Sequence, residues 1–394
     1  MSRCIDTDCI HLNETRPSKE IKHYGSLSFP IYQTATFAHP AVGESTGFDY
    51  SRLQNPTREQ LEKIVASLEH GTDAIALSSG MAAIALLFEI FEPGDHIITD
   101  SDLYGGSIRL FNNVSKKNAL EITNIELAHE NIEKFITPKT KAIYIETPTN
   151  PMMNIYDIEK LSQIAKKHGL YFIVDNTFLS PYFQNPLDLG ADVVIHSGTK
   201  YLGGHNDTIA GFVITNNATI QEKLRFLIKT TGAGLAPFDS WLILRGIKTL
   251  GIRMDRAQEN AKQIAEFLLN EKDVTEVIYP GLPTHPGHAI MKKQARGFGA
   301  MLTFKVSSKD FALSILKKVS LIQFAESLGG VETLLTYPIT QTHADVPSDV
   351  LARNGITDTT LRLSVGIENA KDLIQELKDV FQKIREERPC PNAI

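Results

Sequence analysis

Six short runs, rich in β-branched residues and apolar throughout rather than alternating, recur along this chain. They are Ala74–Leu77, His96–Thr99, Lys141–Ile145, Tyr171–Asp175, Asp192–His196 and Ala210–Thr215. A strand with one wet face alternates polar and apolar residues, so runs apolar at every position predict strands covered on both faces. Helical patterns lie between several of them. The clearest is Asp157–Lys167, where Ile158, Leu161, Ile164 and Ala165 fall on one side. Together they predict the α/β class: a mainly parallel sheet covered by helices, with ligands beyond the carboxyl ends of the strands.

The other regions read differently. Residues 1–60 show little periodicity but several turn signals (Arg16-Pro17, Phe29-Pro30, His39-Pro40 and Asn55-Pro56), which predict an extended arm lying on something else, here a second subunit. The α/β domain is expected over 61–255. An amphipathic helix uninterrupted by proline is expected from Asp239 to about Leu269. Beyond it come strand-like Ala300–Val306, helix-like Asp310–Val319, strand-like Thr360–Val365 and a final helix Asn369–Glu386. That mixture predicts a smaller C-terminal α+β domain over 256–394, and 394 residues suit two or three domains of ~100–200 each.

Composition excludes several classes. Net charge is −6 with no basic face or run beyond the pair Lys116-Lys117, so no nucleic-acid footprint is visible. The cysteines Cys4, Cys9 and Cys390 give neither a disulfide framework nor zinc-ligand pairs. The turn His285-Pro-Gly-His288 is read as a loop, so no metal site is expected. The polar first twenty residues do not resemble a secretory signal, and the apolar run at Ala82–Phe91 falls far short of the ~20 residues that span a bilayer. A soluble cytoplasmic protein is expected.

Chemistry concentrates in Asp192-Val-Val-Ile-His-Ser-Gly-Thr-Lys200-Tyr-Leu-Gly-Gly-His-Asn206. An apolar run ends in small hydroxyl residues, then one lysine, then glycines that let other backbone pass close. A lysine partly withdrawn from water loses its proton more readily and becomes a nucleophile. The stretch resembles the pyridoxal-phosphate (PLP) lysine motif of the Cys/Met metabolism (transsulfuration) enzymes. PLP needs an amine, an acid for its ring nitrogen, a phosphate cradle and an aromatic face. Tyr171-Phe-Ile-Val-Asp175 ends an apolar strand in a carboxylate 25 residues before the lysine; an ionised carboxylate there keeps the ring nitrogen protonated. Ser78-Ser-Gly-Met81 precedes a helix, expected at Ala82–Phe91, whose N–H groups suit a phosphate. Tyr104, followed by two glycines, offers the aromatic face.

The resemblance runs from about Ile31 to Leu377 and implies the aspartate-aminotransferase type of PLP-dependent transferase fold (fold type I). It places Gly80, Met81, Ser197 and Thr199 on the phosphate, Tyr104 on the ring, Asp175 at its nitrogen and Thr177 beneath it. Lys200 becomes the lysine that bonds to the cofactor. Tyr50 and Arg52 would reach the phosphate of a neighbouring subunit, implying a homo-oligomer, a tetramer with sites shared across a dimer interface. Asn150, in Glu146-Thr-Pro-Thr-Asn150-Pro, and Arg362, in Leu361-Arg-Leu-Ser, match residues that hold the carboxylate of an amino-acid substrate; Glu326 and Ser327 join them.

Ala325-Glu326-Ser-Leu-Gly-Gly330 resembles family members acting at the γ-carbon, and Thr336–Asp345 resembles bacterial cystathionine γ-synthases that use O-acylhomoserine. γ-Replacement with cysteine or another thiol is therefore the expected reaction, with cystathionine γ-lyase, then cystathionine β-lyase or methionine γ-lyase, as alternatives. Methionine γ-lyases carry a cysteine where this chain has Gly106. A non-catalytic relative would be expected to lose Lys200, Asp175 or Arg362, and all three are present.

Overall fold

The computed structural model describes residues 4–11 and 22–387, and two sheets carry its architecture. The first contains β1 (Asp73–Leu77), β2 (His96–Asp100), β3 (Glu121–Ile125), β4 (Thr140–Glu146), β5 (Tyr171–Asp175), β6 (Val193–Ser197) and β7 (Gly211–Thr215). Their order is β1-β7-β6-β5-β4-β2-β3. Only β7 runs against its neighbours; every other pair is parallel. The runs apolar at every position have the expected cause. Val174, Val194 and Ile214 feed a core on one face, while Ile173, Ile195 and Val213 feed a second core on the other. Each such side chain taken out of water stabilises by ~1.5–3 kcal/mol.

The second sheet contains β8 (Val274–Ile278), β9 (Met301–Val306), β10 (Gln323–Phe324), β11 (Leu334–Thr336) and β12 (Thr360–Ser364), in the order β10-β11-β12-β9-β8. It is antiparallel except at β10–β11. Helices Lys309–Lys318 and Ala370–Glu387 belong to this half, the latter packed on the former and on helix Leu250–Leu268.

Several expectations need correction. The single helix expected over Asp239–Leu269 is two, Pro237–Ile247 and Leu250–Leu268. Just before the break Gly246 packs so closely that a Cβ would lie 2.2 Å from the Gly203 carbonyl oxygen. The Gly246 carbonyl itself accepts from the Thr249 N–H and hydroxyl and from Arg253 Nη2 (3.1, 3.1 and 2.9 Å), so it is withdrawn from the helical ladder. The arm is not extended from its start, because Ile5–His11 is helical, buries Cys9 and packs on Leu250–Leu268. From residue 26 to 54 the arm has no helix or regular strand, only an isolated bridge between Thr36 and Tyr50. The helix expected at Ala82–Phe91 spans Gly80–Phe88. Strand β3 has no counterpart in the sequence reading; it is an edge strand with Glu121 and Asn124 exposed. Arg16-Pro17 and Cys390 lie outside the described residues.

Candidate active site

The loops leaving β1, β2, β4, β5 and β6 open on one edge of the first sheet, and β7 begins there. That edge gathers the candidate residues. After β1, Ser79 caps helix Gly80–Phe88 by accepting from the Ala82 N–H at 3.0 Å. The first N–H groups of such a helix lack intrahelical partners and suit an anion. Gly80 lies against the end of β6, where a Cβ would come 2.9 Å from the Ser197 Cβ. The Ser197 N–H donates to the Thr177 hydroxyl at 2.9 Å, and the Thr177 N–H donates to Asp175 Oδ1 at 2.9 Å. Ser197, Thr177, Asp175 and Gly80 therefore share one cradle. The Thr199 hydroxyl is turned to the Ala210 backbone, donating to its carbonyl and accepting from its N–H.

Tyr104 precedes helix Gly105–Leu110, with its ring half-exposed. A Cβ at Gly106 would lie 2.4 Å from that ring and 2.9 Å from Met81 Sδ, so Met81 and Tyr104 both border Gly106. The Tyr104 N–H donates to both carboxyl oxygens of Glu146 (3.1 and 3.0 Å).

Lys200 is half-buried, and its Nζ donates to the Ser327 hydroxyl at 2.8 Å. Burial, then the Arg362 charge, bring it down to about 8, with Glu326 opposing. Arg362, on β12, is 1% exposed. It donates to Asn150 Oδ1 (2.8 Å), the Ser327 carbonyl (2.8 Å) and the Thr336 hydroxyl (3.1 Å), while its Nε has no partner. Among the described residues no carboxylate pairs with it. A buried guanidinium held by neutral oxygens is poorly compensated and is disposed to take an anion.

Tyr50 and Arg52 are not drawn into this constellation. Arg52 lies over the Tyr50 ring, 5.6 Å from its centroid, and donates to the Lys229 carbonyl. Three other contributors escaped the sequence reading: Glu146, Thr336 and His343, whose Nε2 lies 3.0 Å from the Asn150 carbonyl. Glu146 had a usable signal, since it ends an apolar strand in a carboxylate as Asp175 does.

The family model described as Cys/Met metabolism PLP-dependent enzyme matches residues 6–382. This chain belongs to that family. Among curated relatives, it is 47% identical to a cystathionine gamma-lyase of Bacillus subtilis, covering 91% of this chain and 95% of the relative. It is 46% identical to the same organism's cystathionine gamma-synthase/O-acetylhomoserine (thiol)-lyase (92% and 93%), and 45% identical to a cystathionine beta-lyase of Lactococcus lactis (92% and 96%). A solved cystathionine gamma synthase from Xanthomonas oryzae in complex with cystathionine superposes with a TM-score of 0.94 at 38% identity, covering 98% of this chain and all of that one. The chain is thus a PLP-dependent transsulfuration enzyme with the family's α/β fold. Its residues suit the cofactor: an amine, a carboxylate, a helix N-terminus beside a hydroxyl and an aromatic ring come from the loops at one edge of the sheet.

Proposed function

We propose that this enzyme acts at the γ-carbon of its substrate, joining an O-acylhomoserine to cysteine or another thiol by γ-replacement. Lys200 would hold PLP and, once displaced by the substrate amine, carry the α-proton. Asp175 would keep the ring nitrogen protonated, with Thr177 beneath the ring and Tyr104 stacked on it. Gly80, Met81, Ser197 and Thr199 would receive the phosphate, joined by Tyr50 and Arg52 from a second copy of the chain in a homotetramer. PLP, when bound, withdraws electrons from the substrate Cα. Arg362 and Asn150 would take the substrate carboxylate, with Tyr104 or Lys200 giving a proton to the leaving group.

The observation that carries the γ-reading is the reach of one loop. Ser327 touches Lys200 through its hydroxyl and Arg362 through its carbonyl, and the charge of adjacent Glu326 acts on both cations. A carboxylate so placed is suited to steer the substrate amino group for a second proton shift at the β-carbon. Gly106 supports setting methionine γ-lyase aside, because it stands where the members with that activity carry a cysteine. Cystathionine γ-lyase uses the same residues, and the 47% identical relative favours it as the second reading.

The test is to incubate pure holoenzyme with O-acetylhomoserine, O-succinylhomoserine, cystathionine or methionine, with and without cysteine. Cystathionine should form from an ester plus cysteine faster than any keto acid is released. Pyruvate from cystathionine as the dominant product would overturn γ-chemistry. Glu326→Ala should lower γ-replacement about a hundredfold, the scale of a ~1 Å misplacement. The side β-elimination of cystathionine, needing only the Cα proton removed, should fall far less; equal losses would leave Glu326 a general support of binding.

A further inference from the structure

β4 and β5 end level with each other, so Glu146 and Asp175 are register partners on adjacent parallel strands. Neighbouring strands lie ~4.8 Å apart, so the two carboxyl groups lean over one edge side by side. Glu146 is buried, while Asp175 keeps an open face toward the cradle. Two carboxylates this close do not both ionise readily in a poorly hydrated site, which favours one proton between them.

The surroundings decide which member holds it. Burial and then the charge of Asp175 push Glu146 well above the usual carboxylate range, and Asp102, after β2, adds to the push. The Tyr104 N–H and the Ser107 hydroxyl, both from the turn of helix Gly105–Leu110, oppose it. Asp175 is also raised by burial, but the Thr177 hydroxyl and N–H favour its charge, as does His196 on β6. Tyr144, also buried on β4, is raised well above its ordinary value by burial and these two acids, so it stays neutral.

We propose that Glu146 is a positioning residue that carries the proton of this pair, leaving the charge on Asp175, while its oxygens hold the Tyr104 N–H and fix the aromatic face. The inference rests on the reading that Asp175 meets the PLP ring nitrogen and Tyr104 its face. A neutral Glu146 satisfies both demands: it leaves no second negative charge beside Asp175, and it anchors the loop after β2 to the end of β4. Sequence separates the three residues widely, and only the strand register brings them together.

The test compares Glu146→Gln with Glu146→Ala in holoenzyme reconstituted with PLP labelled at the ring nitrogen with 15N. Three readouts are taken: the 15N shift of that nitrogen against pH, the circular dichroism of the bound cofactor, and PLP affinity. Glutamine is neutral and keeps an oxygen for the Tyr104 N–H, so Glu146→Gln should match the wild type in all three. Glu146→Ala should keep the ring nitrogen protonated, yet lose cofactor dichroism and about tenfold in affinity, the scale of an aromatic contact. Loss of ring-nitrogen protonation in Glu146→Gln would mean that Glu146 carries charge, and the proposal falls. Unchanged dichroism and affinity in Glu146→Ala would overturn the positioning role. An unprotonated ring nitrogen in the wild type would instead remove Asp175 from its assigned place, and the inference with it.

Discussion

At pH 7.5 an amine titrating near 10.5 is neutral about once in a thousand molecules, whereas one titrating near 8 is neutral about a quarter of the time. Lys200 belongs to the second kind because its Nζ lies at a partly dry edge beside the Arg362 charge. The covalent capture of PLP by apoenzyme, trapped with borohydride at increasing pH, should therefore climb with its midpoint near pH 8 and level by about pH 9. A climb continuing toward pH 10 would mean that the amine is an ordinary solvated lysine; Lys200→Ala should abolish the trapped product. The sequence made Lys200 and Asp175 visible, because each stands at or just past the end of an apolar run, whereas Arg362 was visible only through the family resemblance and by itself reads as an edge-strand surface charge. Of their partners, Glu146 left a similar signal by ending an apolar strand, but nothing in the sequence tied it to Asp175 or Tyr104. Glu146 becomes part of the site only through the β4–β5 register, and Thr336 reaches Arg362 only through the β11–β12 pairing.

Among the elements, strands covered on both faces were the most legible, since two cores demand apolar residues at every position. β3 escaped for the opposite reason: an edge strand keeps its polar side chains in water. The break between helices Pro237–Ile247 and Leu250–Leu268 was hidden because no proline marks it; beside it, Gly246 packs on the Gly203 carbonyl. That contact presses a helix directly against the loop bearing Lys200. Gly246→Ala would place a methyl group against backbone that cannot retreat, and overpacking of this kind costs ~1–3 kcal/mol. The variant should show a lower melting temperature and faster loss of PLP. A melting curve superimposable on the wild type would show that the contact relaxes freely.

On the scale of the whole molecule, the exposed arm from residue 26 to 54 is the part a single chain leaves unexplained. Tyr50 and Arg52 lie on it, packed on each other and with Arg52 on the Lys229 carbonyl, and the proposed homotetramer would turn them to the site of a second copy. Mixing Arg52→Ala and Lys200→Ala chains under conditions of subunit exchange should restore activity, because hybrids would own one site with both defects and one with neither. Demonstrated exchange without recovery would refute a shared site.

Helix Leu250–Leu268 spans ~28 Å. Near its start, Arg253 Nη1 grips the Tyr201 carbonyl at 2.7 Å, one residue from Lys200. Further along, Asn260 Nδ2 grips the Gly366 and Glu368 carbonyls (3.0 and 2.8 Å), just beyond the strand that carries Arg362. One straight rod is thus pinned to the amine end of the site and to the carboxylate end. The separation of Lys200 and Arg362 is tied to helical geometry as well as to the loop that carries Ser327, a gauge stiffer than a loop alone. An α-amino acid has one fixed spacing between nitrogen and carboxylate whatever its side chain, so a rigid gauge can admit the whole class and leave all discrimination to the far side of the pocket.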